Sequence, residues 1–396
     1  MSTFRSFSDI YLSIKPQMAL FFYFHGNFSE MKTYIKIIAL VILAQFVKAQ
    51  KKQSVRDTLS ASALMPFGRS LLKSDHKLEL ISSAVHVGFK FEGNQCAIYA
   101  SVKDSNSHNY IQYELDGVYQ KKVRIGGDSE QPIIVNAVGY GSHIIWLYKA
   151  TEATTGPVII SKIVGRNIKA VPVTNAPIIE FIGNSITCGA AADTTDVPCG
   201  KGKYQDQHNA YMAYGPRVAR SLCLNYVLSS VSGIGVYRTW NLDGPSMPQV
   251  YEKIDFQLNN PIKWNFNTFH PAIVSIALGT NDLSNGDAKS SRKPFDEKIF
   301  IKNFVDFICL IKLKYPKAKI ALLSSPMVSG SSREILERCL LSIKSKVDVL
   351  YPKDKPIATF FFPLMQAHGC TGHPSVADHL IMAEQLKPFF SKLVKQ

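Results

Sequence analysis

The chain has 396 residues, of which 46% are hydrophobic and 19% are charged. This composition is typical of a folded globular protein and excludes a disordered one, and the length favours two domains over one. The formal net charge is +15, but the basic residues are scattered and no nucleic-acid-binding motif is present, so we expect no DNA or RNA partner.

The first predicted element is a secretory signal peptide at residues 31–49. Two lysines give it a charged start, residues 37–47 form a short apolar core, and Val47-Lys48-Ala49 places small residues at the two cleavage positions. The apolar run is too short for a membrane-spanning helix, and the alternative is a buried N-terminal helix. We therefore predict that residues 1–49 are an upstream extension and signal peptide. The mature chain is expected to be secreted or periplasmic, with no stable membrane insertion.

Residues 65–166 are predicted to form an all-β domain. Apolar and polar residues alternate there with period two, and turn signals separate the runs. Short strands of this kind are typical of a β-sandwich, and we predict one of the jelly-roll type. Residues 167–176 are expected to be the linker that follows. The predicted strands lie at 84–91, 110–115, 143–148 and 158–163.

Residues 177–396 are predicted to form an α/β domain, because the period changes after Pro177. Strands that alternate with helices indicate a doubly wound parallel sheet, in which ligands bind outside the carboxyl ends of the strands. The predicted strands lie at 178–182, 225–229, 272–278, 319–324 and 357–362, and the predicted helices at 210–222, 296–313, 334–343 and 374–393.

The first strand of this domain delivers a serine to its carboxyl end, in the run Ile182-Gly183-Asn184-Ser185. A serine at this place can attack an acyl carbon if a histidine takes its proton and N–H groups stabilise the oxyanion. The alternative role is to cap the N-terminus of a helix. The segments further along the chain favour the role of nucleophile for Ser185 over that of a helix cap.

Two of those segments supply candidate oxyanion donors. Asn281 follows the strand predicted at 272–278, and its neutral amide can donate an N–H without adding a charge. Gly233, in a Ser-Gly-Ile-Gly loop after the second strand, can bring a backbone N–H to the same oxygen. Gly235 in the same loop is a substitute for Gly233.

His373, at a predicted helix start, is the expected general base toward Ser185 and then the acid toward the departing alcohol. A triad would place an acid three residues before it, but Cys370 occupies that position and Thr371 the next. Asp378 follows on the predicted helix and is expected to point elsewhere. We therefore expect a serine–histidine dyad in which a backbone carbonyl orients the imidazole.

The cysteines number seven. Cys188 and Cys199 bracket a short loop beside the serine, so a bridge between them would stiffen the site. Cys223, Cys309 and Cys339 are expected to be core residues. There is no C-x-x-C pair, and we expect no zinc, no other metal and no organic cofactor.

Taken together, these segments resemble the SGNH, or GDSL-type, hydrolase superfamily. Its four blocks supply a serine, a glycine, an asparagine and a histidine, and by position these are Ser185, Gly233, Asn281 and His373. The resemblance implies an oxyanion hole made of the Ser185 and Gly233 amides and the Asn281 side chain. The first block of the family has an aspartate where this chain has Asn184.

Six further motifs lie between residues 65 and 396. They are Phe67-Gly68-Arg69, Leu115-Asp116-Gly117, Lys149-Ala150-Thr151-Glu152, Ser232-Gly233-Ile234-Gly235-Val236-Tyr237-Arg238, Met247-Pro248 and Gly369-Cys370-Thr371-Gly372-His373-Pro374. With these motifs the chain also resembles carbohydrate esterase family two. In that family a jelly-roll domain precedes the SGNH domain, and members remove acetyl groups from plant polysaccharides such as xylan and glucomannan.

The resemblance implies an acetyl-sized acyl pocket and an open cleft for sugar. Tyr237 and Trp240 are candidates for stacking on the sugar, and packing in the core is the alternative for both.

The sequence therefore predicts a secreted serine esterase that removes O-acetyl groups from plant polysaccharide or oligosaccharide through an acetyl-serine intermediate. One alternative is a general short-chain acyl esterase or thioesterase, which a preference for acetate over longer esters would exclude. Another is a glycan-binding protein whose catalytic site has decayed. In that case the protein would bind sugar without turnover, and Ser185→Ala would leave the sugar binding unchanged.

Overall fold

The structure is a computed structural model, and it describes residues 56–126, 132–287 and 292–395. The predicted signal peptide at residues 31–49 lies outside the described residues. Within these three ranges, no helix is both long enough and apolar enough to cross a membrane. The described chain contains a large antiparallel sheet followed by a parallel sheet, in the order that the sequence predicts.

The antiparallel sheet has ten strands. In chain order, β1 to β10 are Asp57–Ser60, Ser70–Leu72, Leu78–Leu80, His86–Val102, His108–Leu115, Val118–Tyr119, Val123–Gly126, Ile133–Asn136, Ser142–Lys149 and Val158–Val171. The main path is β2-β3-β10-β4-β9-β5-β6, while β1 pairs with β10, β7 with β5 and β8 with β4. Alternate residues such as Val87, Phe89 and Phe91 of β4 are buried in one hydrophobic cluster, as period-two alternation requires.

The four runs that predicted strands fall mainly in β4, β5, β9 and β10. Strand β10 is longer than expected and continues to Val171, through the first half of the predicted linker. Its residue Ala170 lies opposite Phe89 of β4. Register shifts on both sides of Arg166 and a positive φ of 47° at Asn167 interrupt the alternation, so the sequence pattern stops before the strand does.

The parallel sheet has five strands separated by helices. Strands β11 to β15 are Ile178–Gly183, Asn225–Ser230, Ile273–Ala277, Lys319–Leu323 and Ala358–Phe360. Helices α1 to α6 are Ser185–Cys188, Tyr214–Ser221, Met247–Val250, Glu297–Lys314, Gly330–Leu350 and Val376–Lys395. Short 3₁₀ helices lie at Ala61–Ala63, Ala153–Thr155, Tyr204–Gln207, Ala210–Met212 and Cys370–Gly372. The predicted strands and helices are present with shifted ends, except that the helix predicted at 210–222 is divided into a 3₁₀ turn and α2.

Helices cover both faces of the parallel sheet. Phe181 of β11 packs in one hydrophobic cluster with Phe390 of α6, while its neighbour Ile182 packs in the other cluster with Phe304 of α4. The strand order is β12-β11-β13-β14-β15, so β11 lies between the next two strands of the chain. The direction of the strand order reverses at β11, and ligands bind outside the carboxyl ends of the strands at such a reversal.

Arg69 links the two sheets. It lies just before β2 and is fully buried. Its Nη1 donates to the Lys253 carbonyl at 2.6 Å and its Nη2 to the Ser229 hydroxyl at 3.4 Å. Ser229 donates in turn to the carboxylate of Glu180 on β11 at 2.6 Å, and the Tyr251 hydroxyl donates to the same carboxylate. A buried cation and a buried anion are thus joined through a serine hydroxyl.

We expect Arg69→Met to lower the free energy of unfolding by about 3–5 kcal/mol, because it leaves a buried carboxylate without its counter-charge. Adding Glu180→Gln to that variant should recover part of the loss, since the unpaired charge is then removed. Urea unfolding followed by tryptophan fluorescence measures both changes. Losses that simply add in the double variant would contradict the coupling between Arg69 and Glu180.

Candidate active site

Ser185 lies where β11 ends, as the first residue of α1. A Cβ at Gly183 would lie only 2.0 Å from the Thr187 hydroxyl oxygen, so the turn requires glycine there. Asn184 caps the helix, because its side-chain oxygen accepts from the Ile186 N–H at 3.0 Å. An aspartate, the residue of the family pattern, could accept the same N–H, so asparagine at this position leaves the cap of the helix unchanged. The Ser185 hydroxyl is therefore not needed as a cap.

His373 contacts Ser185 directly, with its Nε2 2.9 Å from the serine Oγ. Its Nδ1 lies 3.1 Å from the Cys370 carbonyl oxygen and 3.1 Å from the Thr371 hydroxyl, which itself donates to that carbonyl at 2.8 Å. Because a carbonyl oxygen can only accept, the ring proton is held at Nδ1. Nε2 is then left to accept the proton of the serine.

Asp378 is not a partner of His373. It is buried on α6, and its carboxylate accepts from the backbone N–H of Ser375 at 2.8 Å and of His368 at 2.9 Å. It also contacts the His368 ring at 2.8 Å. The structure thus brings together a serine, a histidine and a backbone carbonyl in the position of the triad acid.

The bridge between Cys188 and Cys199 that the sequence left open is not formed. Cys199 is bonded to Cys370, 171 residues further along the chain, and Cys188 is a buried free thiol that lies 3.2 Å from the Ser230 hydroxyl. Such distant pairing cannot be deduced from the spacing of cysteines in the sequence. The bond ties the loop after α1 to the residue whose carbonyl orients His373.

The cysteines expected in the core differ among themselves. Cys339 is buried and Cys309 is half-buried, but Cys223 is exposed. Cys223 lies two residues after the end of α2 and has a φ of 54°, so the chain has already left the helix at this residue. The apolar helical pattern that suggested burial for Cys223 ends before it.

The loop that carries Gly233 begins beside the end of β11, because the Val231 N–H donates to the Gly183 carbonyl at 3.3 Å. Gly233 has a φ of 75°, and a Cβ there would lie 2.7 Å from the Trp240 ring, so this position requires glycine. Gly235 is glycine for a different reason, since its Cβ would meet the Asp282 carboxylate at 2.3 Å.

Asn281 follows β13 and faces the same loop. Its side-chain N–H donates to the Ile234 carbonyl at 2.8 Å, next to Gly233. An amide carries two N–H groups, so this bond leaves a second one to offer to a substrate oxygen. The structure therefore gathers Ser185, Gly233 and Asn281 at the carboxyl ends of three adjacent strands.

Asp282 is a residue of this site that the sequence analysis did not single out. It is fully buried, and its carboxylate accepts from the Val236 N–H at 2.9 Å and the Tyr237 N–H at 3.0 Å. Burial raises its pKa to about 6, although these N–H donors oppose the rise. The sequence did contain a signal for this residue, because Asp282 directly follows the candidate oxyanion donor Asn281 after a predicted strand.

Glu152, in the connection between β9 and β10, is a second such residue. It is 2% exposed, and its Oε2 accepts from the Ser232 N–H at 2.6 Å. The same oxygen lies 3.4 Å from Cys188 Sγ, and Oε1 lies 3.7 Å from His208 Nε2. Across the described ranges, His, Cys, Asp and Glu side chains nowhere gather in threes that could hold a metal ion.

The two candidates for sugar stacking have different surroundings. The Tyr237 ring packs against Phe295 and Phe300, so much of it is engaged within the protein. Trp240 is 39% exposed and lies against Gly233. Of the two, the ring of Trp240 is the better placed to meet a ligand at the site.

Three comparisons with known proteins bear on this site. Residues 67–172 match the family described as carbohydrate esterase 2 N-terminal. The chain is 27% identical over 315 residues to the cellulase/esterase CelE of Acetivibrio thermocellus. This match covers 77% of this chain but only 36% of that protein. It is 22% identical over 370 residues to an acetylxylan esterase / glucomannan deacetylase of Cellvibrio japonicus, and this match covers 90% of this chain and 98% of that protein. A solved structure of a family two carbohydrate esterase from Clostridium thermocellum, in complex with cellohexaose, matches with a TM-score of 0.72 at 23% identity, over 84% of this chain and 99% of that one.

The resemblance to carbohydrate esterase family two is confirmed. The predicted enzyme class, a carboxylic ester hydrolase, is confirmed with it. The family match begins at Phe67 and ends just after β10, so it spans strands β2 to β10 of the antiparallel sheet. The likeness to the family two structure also extends over the parallel sheet, since it covers most of the described chain. The chain spans about a third of the length of CelE, but almost all of the Cellvibrio japonicus esterase.

We expect kcat/KM for an aryl acetate to fall only below pH 6.5, because burial lowers the pKa of His373 below its ordinary value of 6.5. A lowered pKa keeps the imidazole neutral, and so able to accept the serine proton, to lower pH. A pH profile of kcat/KM, with folding checked at each pH by circular dichroism, tests this. An acid limb centred above pH 6.5 would contradict the burial effect.

Proposed function

We propose that this chain is a serine esterase that removes O-acetyl groups from plant polysaccharide or oligosaccharide of the xylan or glucomannan type. The proposal rests on the 2.9 Å contact between Ser185 Oγ and His373 Nε2, at the carboxyl edge of a parallel sheet. The names of the relatives, acetylxylan esterase and glucomannan deacetylase, support acetate as the acyl group and a polysaccharide as its carrier.

In the first half of the reaction, Ser185 Oγ attacks the acetyl carbonyl carbon while His373 Nε2 takes the hydroxyl proton. The carbonyl electron pair moves onto oxygen, and the backbone N–H groups of Ser185 and Gly233 and the Asn281 side chain stabilise that oxyanion. The intermediate collapses and breaks the bond to the sugar oxygen, which takes the proton from His373. The products are the free sugar hydroxyl and an acetyl-serine.

In the second half, water attacks the acetyl-serine. His373 takes a proton from the water, the same donors hold the second oxyanion, and collapse releases acetate and returns the proton to Ser185 Oγ. Because the reaction passes through an ester of Ser185, the same groups serve both halves.

The Cys370 carbonyl performs the orienting task of the triad acid. It fixes the Nδ1 proton and hence the tautomer of His373, which is one of the two contributions of the acid in a triad. As a neutral group it stabilises the transient imidazolium less than a carboxylate would. The disulfide to Cys199 holds this carbonyl in place from a second direction.

Two partly exposed aromatic rings lie near residues of the candidate site. Trp240 packs against Gly233, and Tyr204, which is 40% exposed, has its ring centroid 6.2 Å from that of His373. Flat, rigid rings of this size provide contact area at low entropic cost. We assign the sugar-stacking role to Trp240, and only a weaker one to Tyr237, whose ring is packed within the protein.

The finer architecture and the localisation are part of the proposal. We infer that residues 65–166 form a jelly-roll domain and that residues 177–396 form an SGNH hydrolase domain. The family match over residues 67–172 supports the first, and the meeting of the four block residues supports the second. The pattern of residues 31–49 and the disulfide both support a secreted or periplasmic enzyme, because disulfides persist in oxidising compartments.

The experiment is acetate release from acetylated xylan and acetylated glucomannan, compared among the mature chain, Ser185→Ala and His373→Ala. Each variant should lose at least about 1,000-fold in kcat, because nucleophile and base act as a unit. Ser161→Ala, on β10, and His270→Ala, an exposed histidine, are matched controls outside the site and should keep full activity.

The results separate the candidate functions. A folded wild type that binds the polysaccharide without releasing acetate would favour a decayed binding protein, although the intact contact between Ser185 and His373 disfavours it. Faster hydrolysis of long-chain than of acetate aryl esters would favour a general acyl esterase or thioesterase. If both site variants lose acetate release and both control variants keep it, the deacetylase activity and the dyad are established together.

A further inference from the structure

A carboxylate from the antiparallel half of the chain reaches the loop that carries Gly233. Glu152 lies in the connection between β9 and β10, and its side chain crosses into the parallel half to accept the Ser232 N–H at 2.6 Å. Ser232 directly precedes Gly233, so Glu152 fixes the peptide next to the expected oxyanion donor. The bond is of the charge-assisted kind, in which an ionised acceptor makes a shorter and stronger hydrogen bond.

Both ends of this loop are held by buried carboxylates. Glu152 holds the N-terminal end at Ser232, while Asp282 holds the C-terminal end at Val236 and Tyr237. One carboxylate comes from each half of the chain, and Gly233 lies between the two anchored points. A glycine with a positive φ has little conformational preference of its own, so its orientation depends on these anchors.

Glu152 is itself rigidly placed. Lys149 Nζ donates to the Thr151 carbonyl at 3.0 Å and to the Glu152 carbonyl at 2.5 Å, which fixes the backbone on which the carboxylate is carried. Burial alone would raise the pKa of Glu152, but His208 and the Ser232 N–H lower it to about 2. The side chain is therefore an anion throughout the neutral range.

We propose that Glu152 is a positioning residue for the oxyanion hole, which holds the Ser232 amide and thereby aims the Gly233 N–H at the developing oxyanion. This inference rests on the proposed esterase function and deepens it. Through the Ser232 amide, the antiparallel half of the chain then contributes to the reaction at Ser185. Loss of an aligned donor lowers kcat more than it raises KM, because the oxyanion exists only in the transition state.

Glu152→Ala and Glu152→Gln test the proposal, with hydrolysis of 4-nitrophenyl acetate as the assay. Alanine removes the acceptor, so kcat should fall about 10–100-fold while KM changes less than about threefold. This fall in kcat is smaller than the effect of removing an oxyanion donor outright, because the Gly233 N–H is misaligned and not lost. Glutamine keeps an acceptor oxygen at the same place, so it should restore at least about fivefold of that loss. Reaction of Ser185 with a phosphonate ester, whose adduct also occupies the oxyanion hole, should slow in parallel with kcat.

Glu114→Ala is the matched control for Glu152→Ala. Glu114 is also a carboxylate of the antiparallel sheet, and it accepts from the hydroxyls of Tyr148 and Tyr211, the latter in the parallel half. The same substitution there removes a contact between the halves without touching the Gly233 loop, so kcat should stay within about twofold of wild type.

Several results would overturn the proposal. These are an unchanged kcat in folded Glu152→Ala, a rise in KM alone, or a loss of kcat in Glu114→Ala equal to that in Glu152→Ala. If Glu152→Ala does not fold, Glu152→Asp takes its place, because it keeps the buried charge but draws the acceptor back from the Ser232 N–H. A kcat of folded Glu152→Asp within twofold of wild type, with unchanged phosphonate reactivity, then overturns the proposal. Because the aryl ester reports on Glu152, a failure of the proposed polysaccharide substrate shows separately, as an enzyme that hydrolyses aryl acetate but releases no acetate from acetylated xylan or glucomannan.

Discussion

The position of β11 between β12 and β13 is the constraint on which the candidate active site depends. Because the three strands are parallel, the residues that follow them meet at one edge of the sheet. Ser185 follows β11, Gly233 follows β12 and Asn281 follows β13. The proposed nucleophile and both expected oxyanion donors therefore come together from three separate segments, and only His373 must be brought from the end of the chain.

His373 reaches this edge through a combination of backbone and covalent contacts. Its Nδ1 is held by the Cys370 carbonyl, and Cys370 is bonded to Cys199 in the loop after α1. The Cys370 N–H also donates to the Ala191 carbonyl at 2.8 Å. A neutral carbonyl can fix the tautomer of the base only if it does not move, and these contacts supply that rigidity where a triad would use a carboxylate.

The sequence predicted the parts of the site that local pattern determines. Ser185 and Asn281 each follow an apolar strand, so both could be placed at the carboxyl edge before the strand order was known. The partner of Cys199 could not be predicted, since it depends on how distant segments pack. The role of Glu152 was hidden for the same reason: its motif was visible, but its hydrogen bond to Ser232 arises only when the antiparallel half packs against the parallel one.

If Ser185 is the nucleophile, it takes up the acetyl group of the substrate during turnover, and a rapid-quench reaction with 4-nitrophenyl acetate detects this transfer. Mass spectrometry of the proteolytic peptides should locate an acetyl group on Ser185 in the wild type during turnover, and none at this position in Ser185→Ala. Undiminished hydrolysis by Ser185→Ala, with no acetyl group on Ser185 of the wild type, would contradict the account.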